Sequence, residues 1–206
     1  LLRLLAETQI PKVFLDTSSL VSPDELNGDL LLMESRNSVR NITAHLLEKG
    51  CTLPGFMGDI GYAQSNRERY EGFCQALMDA GKTPNPSLCL TTPLGIDSYR
   101  EEIDSFLSSL SRMPDAFVCA SDYVACILMQ LLEKRGLRVP EDVAVSGFDN
   151  NIEDLLAENL TTVQVFNEEL GSRLALQILY RIKYPHTPHE VTYLESKVLY
   201  RASTGD

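Results

Sequence analysis

Residues Asp115 to Asn150 read DAFVCASDYVACILMQLLEKRGLRVPEDVAVSGFDN, and the order of patterns in them decides the fold class. Ala116 to Ala120 is a short apolar run, after which Val124, Ile127, Leu128, Leu131 and Leu132 follow the spacing of one helix face. Gly136 stops that helix and Pro140 sits in the connection. Val143 to Phe148 is then a second apolar run, rich in β-branched valine and too short for a helix. The unit is βαβ. A parallel strand pair needs such a crossover, and ligands of open α/β sheets sit outside the carboxyl ends of the strands. Those ends carry Ser121 and Asp122 after one strand and Asp149 and Asn150 after the next, so polar side chains converge on one crevice.

Composition narrows the function classes. A chain of 206 residues, 44% of them apolar, can build one large or two modest cores, since domains usually run about 100 to 200 residues. The formal net charge of −11 leaves no basic face to neutralise phosphates, so these residues by themselves are not expected to bind nucleic acid. Cys51, Cys74, Cys89, Cys119 and Cys126 form an odd set with no C-x-x-C, each in or next to an apolar pattern. They read as buried thiols in a reducing compartment rather than as disulfides or metal ligands. No run approaches the roughly 18 apolar residues of a membrane span, and Leu1 to Leu5 lacks a basic flank and cleavage site; the expected location is the cytoplasm.

Taken in order, Leu1 to Leu5 reads as the end of an amphipathic helix. Pro11 introduces a strand from Lys12 to Leu15 with Asp16 at its carboxyl end, and Asp29 to Met33 reads as another strand. Asn37 or Ser38 is expected to cap a helix with the stripe Val39, Ile42, Thr43, Leu46 and Leu47. Leu53 to Met57 is a poor strand by composition, because Pro54 removes a ladder donor and Gly55 packs nothing. Asn66 to Ala80 has helical spacing, which places Arg67 and Arg69 in its first turn, where the macrodipole disfavours cations and an anionic or polar ligand would suit them. Ser87 to Thr91 reads as a strand, and Ser98 with Glu101 as a capping box for a helix through Ile103, Phe106, Leu107 and Leu110. Beyond Asp149, Ile152 to Leu156 is a short apolar turn and Thr161 to Phe166 a strand. Asn167 is the expected cap of a helix that turns Leu170, Leu174, Ile178 and Leu179 inward, and Val191 to Leu194 and Val198 to Tyr200 close the chain as strands. Strands and helices alternate almost throughout.

The opening stretch resembles the lactose-repressor/galactose-repressor (LacI/GalR) family of bacterial transcription regulators. That family's pattern of a strand ending in Asn-Asp or Ser-Asp, a helix, a Gly, then P-x-D-V-x-V-x-G-F-D is met by Ser121-Asp122, Gly136, Pro140-Glu141-Asp142-Val143 and Gly147-Phe148-Asp149. The resemblance extends to Ile10 through Asp16, His45-Leu46-Leu47 with Gly50, and Arg69-Tyr70-Glu71-Gly72-Phe73. It continues through Leu160-Thr161-Thr162-Val163, Glu169-Leu170-Gly171 and Arg201-Ala202-Ser203-Thr204. It implies two Rossmann-like lobes of periplasmic-binding-protein type with an effector between them. Residues 1–33 with 164–194 would form an incomplete first lobe, and 34–163 with 195–206 the second. Family members carry about two further βα units and a helix-turn-helix reader before the position of Leu1, so the expectation is an N-terminally truncated chain. The first lobe would then leave strand edges and apolar faces uncovered.

The expected effector contacts are Asp16, Met33, Ser65, Arg69, Ser121, Asp122 and Asp149. The resemblance further implies a homodimer with Ile152, Leu155 and Leu156, and the helix Ser98 to Leu110, near its twofold axis. Carboxylates with an arginine suit a hydroxyl-rich effector such as a sugar; the position that often supplies a purine platform in the family falls near Leu94 or Gly95. Asp149 could instead cap the turn after Gly147-Phe148. Two other classes remain: a sugar-binding receptor of a transporter, which would need export, and an α/β enzyme. Against the enzyme, G-x-S-x-G, P-loop and G-x-G-x-x-G motifs are absent, and His45, His186 and His189 lie on a helix or in a loop without a nucleophile. His186 and His189 lack a third ligand nearby, so neither metal nor cofactor is expected.

The charge balance generates the first test. In a mobility-shift assay at low salt, residues 1–206 alone should leave duplex DNA unshifted; tight, salt-sensitive binding would contradict the reading of the acidic surface.

Overall fold

The computed structural model describes residues 4–5, 7–95, 97–150 and 157–206. In chain order the first half contains β1 (Val13–Leu15), β2 (Asp29–Met33), α1 (Arg36–Glu48), β3 (Pro54–Met57), α2 (Gln64–Asp79), β4 (Cys89–Leu90) and α3 (Tyr99–Ser109). The second half contains β5 (Ala116–Cys119), α4 (Asp122–Lys134), β6 (Ala144–Ser146), β7 (Thr162–Gln164), α5 (Asn167–Lys183), β8 (Val191–Leu194) and β9 (Lys197–Leu199).

An uninterrupted apolar strand such as Ala116–Cys119 is stable only where both faces are covered. It lies inside a four-stranded parallel sheet of order β4-β3-β5-β6. On one face, Val39, Ile42 and Leu46 of α1 and Phe73 and Leu77 of α2 bury Phe56 and Val118. On the other, Ile103 and Leu107 of α3 and Leu128 and Leu131 of α4 bury Phe117 and Val145. β7 continues this sheet through bridges at Ser146–Thr161 and Asp149–Gln164 and pairs antiparallel with β9. The tail then fastens the far end: Ser203 Oγ donates to Val145 O at 2.6 Å and accepts from Thr161 N at 2.8 Å.

A separate parallel sheet has the order β1-β2-β8. Asp29, at the start of β2, is buried against Arg181 of α5 and also accepts from Gln177 Nε2 at 2.7 Å, which anchors α5 to this sheet. Leu170 faces inward with Leu174 partly covered, but Leu179 is 63% exposed, and Leu176, Ile182, Val191 and Tyr193 are exposed with it. The inward role expected for Leu179 is therefore wrong: Gln177 and Arg181 take the inner face because Asp29 lies there. None of the five cysteines is in a disulfide; Cys119 and Cys126 are buried and the other three half-buried.

Local caps account for the other departures. α1 begins at Arg36, and its first amides are met by Glu34, whose carboxylate accepts from Asn37 N at 2.6 Å and Ser38 N at 3.2 Å. α2 begins at Gln64, so Arg67 closes its first turn and Arg69 lies beyond it. At α3, Ser98 pairs with Glu102 rather than Glu101, and α5 starts on Asn167 without a side-chain cap. The Ser87–Thr91 strand contracts to Cys89–Leu90 because Pro86–Leu88 forms a turn of 3-10 helix, held by Ser87 N donating to Asn85 Oδ1 at 3.1 Å.

Pro54 and Gly55 do form a buried strand. Pro54 is its first residue, where a missing N–H costs least, and a Cβ on Gly55 would stand 2.5 Å from Leu88 O and 2.7 Å from the Phe117 ring. Gly55→Ala should therefore lower stability by about 2 kcal/mol, read from urea unfolding, because neither the backbone oxygen nor the buried ring can give way. A midpoint equal to wild type would show that the sheet relaxes there.

Candidate functional site

The site is assembled where α2 passes the carboxyl ends of β5 and β6. Arg69 is only 7% exposed. Its Nη1 donates to Ala120 O at 2.5 Å and to Asn66 Oδ1 at 3.3 Å, and its Cζ lies 3.6 Å from the centroid of the Phe148 ring. Nη2 stands 3.6 Å from Asp149 Oδ1, too far for a hydrogen bond. Nε is buried with no hydrogen-bond partner among the described residues. Burial lowers the pKa of the guanidinium, opposed first by Asp149 and then by Asp16, Asp122 and Glu68. A guanidinium stays charged through such a shift.

Asp149 follows β6 with φ of 114°, a left-handed value that costs a non-glycine residue about 1–3 kcal/mol. Its N–H donates to Val163 O at 3.1 Å, so β7 holds the backbone in that conformation while the carboxylate turns to Arg69. Burial pushes the Asp149 carboxyl up to about 6, with Arg69 pulling it down and Asp122 adding to the rise. Asn150 is tied off separately by Gln164 and by Arg201, whose Nη2 donates to its side chain at 2.9 Å.

The other expected contacts fall into different places. Asp16, at φ of 58° after β1, accepts from Ser65 Oγ at 2.5 Å, from Ser65 N at 3.4 Å and from Thr17 N at 2.7 Å. It meets the amino end of α2 from the β1-β2-β8 sheet. Ser121 caps α4, accepting from Val124 N at 3.3 Å. Asp122 is 1% exposed and bonds inward: its Oδ1 accepts from Thr162 Oγ1 at 2.5 Å and its N–H donates to Phe148 O at 2.8 Å. Met33 is buried with Leu31 and Leu170. Arg69 and Asp149 are thus brought together, Asp16 and Ser65 join each other, and Ser121, Asp122 and Met33 serve packing and capping. Ile152, Leu155 and Leu156 lie outside the described residues. Two groups that the sequence did not single out are the Phe148 ring beneath the guanidinium and Thr17 Oγ1, which is buried without a hydrogen-bond partner. A buried aromatic between Gly147 and Asp149 was the available signal for the first.

Two parallel sheets whose strand ends meet around an incompletely satisfied arginine and aspartate define a small-molecule-binding domain of the periplasmic-binding-protein type. A model of the periplasmic binding protein-like domain matches residues 43–204. The HTH-type transcriptional repressor PurR of Aliivibrio salmonicida is 28% identical over 198 residues, covering 95% of this chain and 58% of that protein. A LacI-family transcriptional regulator structure from Sanguibacter keddieii superposes with TM-score 0.80 at 26% identity, covering 95% of this chain and 72% of that one. The transcriptional regulator CelR–cellobiose complex does so with TM-score 0.79 at 26% identity, covering 93% and 58%. The chain belongs to the periplasmic binding protein-like family, in the form of the effector-binding domain of LacI/GalR-type regulators. It spans somewhat over half the length of the repressor it matches. No helix among the described residues is long and apolar enough to cross a membrane.

The raised Asp149 pKa fixes a pH dependence. A carboxyl raised by folding from 3.8 to about 6 binds more protons folded than unfolded between those values. Its contribution to stability is present below the unfolded pKa and is lost as pH rises through about 6. In thermal melts, the stability of wild type minus that of Asp149→Asn should fall from pH 4 to pH 6 and be level above pH 7. A difference independent of pH would contradict the enclosed placement.

Proposed function

We propose that this chain is the effector-binding and dimerisation domain of a cytoplasmic transcription regulator, with a hydroxyl-rich small molecule of the sugar class as effector. Residues 1–33 with 164–194 act as one lobe and 34–163 with 195–206 as the other, and DNA is contacted through a reader domain outside these residues. The observation that carries the reading is the unfinished Arg69–Asp149 pair. A charge so buried is normally fully bonded, yet among the described residues Nε and part of Nη2 find no partner, and the Asp149 side chain keeps 30% exposure. Donors and acceptor side by side suit vicinal hydroxyls. The structural relative with cellobiose bound supports the same ligand class. The effector acts by binding one angle between the lobes more tightly than another; a ligand of equal affinity for both would shift nothing. In a symmetric dimer that angle sets the spacing of the readers.

Titration calorimetry against a panel of pentoses, hexoses and disaccharides tests this at neutral pH. Asp149→Asn and Arg69→Lys should each weaken the observed binding by about 2 kcal/mol, because a charged hydrogen bond loses its charge or its fork. Melting of unliganded Asp149→Asn should not fall. A lowered melting temperature with affinity intact would make Asp149 a turn cap and overturn the site.

A further inference from the structure

The carboxyl edge of the four-stranded sheet displays aromatic rings that the Arg69–Asp149 site does not use. Tyr62, in the loop between β3 and α2, is 76% exposed, and Tyr123, in the first turn of α4, is 54% exposed. Tyr99 opens α3 and packs edge-on to Tyr123, with centroids 5.6 Å apart and planes at 88°. The segments after β3, β4 and β5 therefore each bring one phenol to the same end of the sheet. Burial raises the Tyr99 pKa, and Asp59, Tyr62, Tyr123 and Glu102 each raise it further, which places all four within electrostatic reach of that ring. Single exposed aromatics are ordinary on a surface, whereas a group of them at the ligand end of a parallel sheet marks a binding surface.

The display is held in place before any ligand arrives. Gly61 N donates to Asp59 Oδ1 at 2.7 Å, Asn66 Nδ2 donates to Asp59 O at 2.9 Å, and Ser19 Oγ donates to Gly61 O at 3.1 Å. A pinned loop with a stiff ring at its tip loses little freedom on binding. The sheet order sets the direction. Asp149 follows β6 at one side, and the phenols stand beyond β5, β3 and β4, so the line from Asp149 to Tyr99 crosses up to three strand spacings, about 14 Å. By the same spacing Tyr123, after β5, is about 5 Å and Tyr62, after β3, about 10 Å from the strand that carries Asp149, so a single sugar ring on Arg69 and Asp149 spans at most to Tyr123.

We infer that Tyr62, Tyr99 and Tyr123 form an outer subsite that stacks on the apolar face of a further sugar ring, so that the effector is an oligosaccharide or glycoside rather than a monosaccharide. The inference rests on the proposed reading of Arg69 and Asp149 as the inner subsite. The C–H face of a pyranose meets the negative face of a phenol ring, and Asp59 stands nearby to accept from ring hydroxyls.

Calorimetry on the full 206-residue chain with ribose, glucose, galactose, cellobiose, maltose and lactose separates the two levels of the proposal. At least one disaccharide should bind about ten-fold or more tighter than its component monosaccharides. Tyr62→Ala and Tyr123→Ala should each remove about ten-fold of disaccharide affinity and leave monosaccharide binding within about two-fold, while Tyr123→Phe keeps the ring and the affinity. Saturation-transfer NMR should show both rings of the disaccharide receiving magnetisation. Sugar binding that ignores Tyr62 and Tyr123 would overturn the outer subsite and leave the inner one standing. Failure of every sugar to bind wild type would overturn both. Alanine variants that change the sedimenting mass would make the phenols a contact between copies of the chain, and that also ends the proposal.

Discussion

The burial of one guanidinium constrains most of this architecture. Moving a full charge out of water costs several kcal/mol even after relaxation, so the groups around Arg69 have to be placed to offset it. Ala120 O, at the end of β5, accepts from it; the Phe148 ring, just past β6, lies beneath it; and the Asp149 carboxylate supplies the opposite charge. These groups come from two neighbouring strands, and they converge only if the strands are parallel and end at the same level. The crossover helix α4 makes that possible.

Tight packing follows from the same convergence. A Cβ on Gly147 would stand 2.3 Å from Asp122 Oδ1, so the strand can approach the start of α4 only with glycine there. That approach lets Asp122 N reach Phe148 O and frees the next residue, Asp149, to turn toward Arg69 at its unusual φ. Two carboxylates in one crevice thereby take different roles. Asp122 is bonded to Thr162 and holds β7 to the sheet, whereas among the described residues no hydroxyl is bonded to Asp149, which faces Arg69. The charge of Asp122 also disfavours ionisation of Asp149, which contributes to the raised Asp149 pKa.

Patterns that obey local periodicity were readable in the sequence. Ala116–Cys119, Asp122–Lys134 and Asp29–Met33 follow directly from run length and helical spacing. What escaped depends on partners distant in the chain. The starts of α1 and α2 were misplaced because their amides are met by Glu34, outside the helix, and by Asp16, from another sheet, so a search for a local Ser or Asn cap looks in the wrong place. Leu179 was turned inward because apolar spacing alone cannot register that Asp29 recruits Arg181 and Gln177 to the buried face. Within the crevice, residue type identified Arg69 and Asp149. It could not separate them from Asp122 or Ser121, since a carboxylate or hydroxyl at a strand end reads the same whether it faces an arginine, a threonine or a helix amide.

The position of α2 shows how a change in the crevice could reach the rest of the molecule. Its amino end is held by Asp16 and by Thr17 O, which accepts from Gln64 N at 2.8 Å; both belong to the loop after β1. One turn further on, Glu68 accepts from Tyr193 of β8 at 2.8 Å. The β1-β2-β8 sheet therefore grips α2 at two points just ahead of Arg69 in the chain, while Arg69 itself is bonded to the other sheet. Rotation of one sheet against the other must move Arg69 relative to Asp149 or break one of these contacts. In the proposed regulator, that geometry makes α2 the element through which occupancy of the crevice and the angle between the lobes bias each other, because α2 is bonded to both sheets at once.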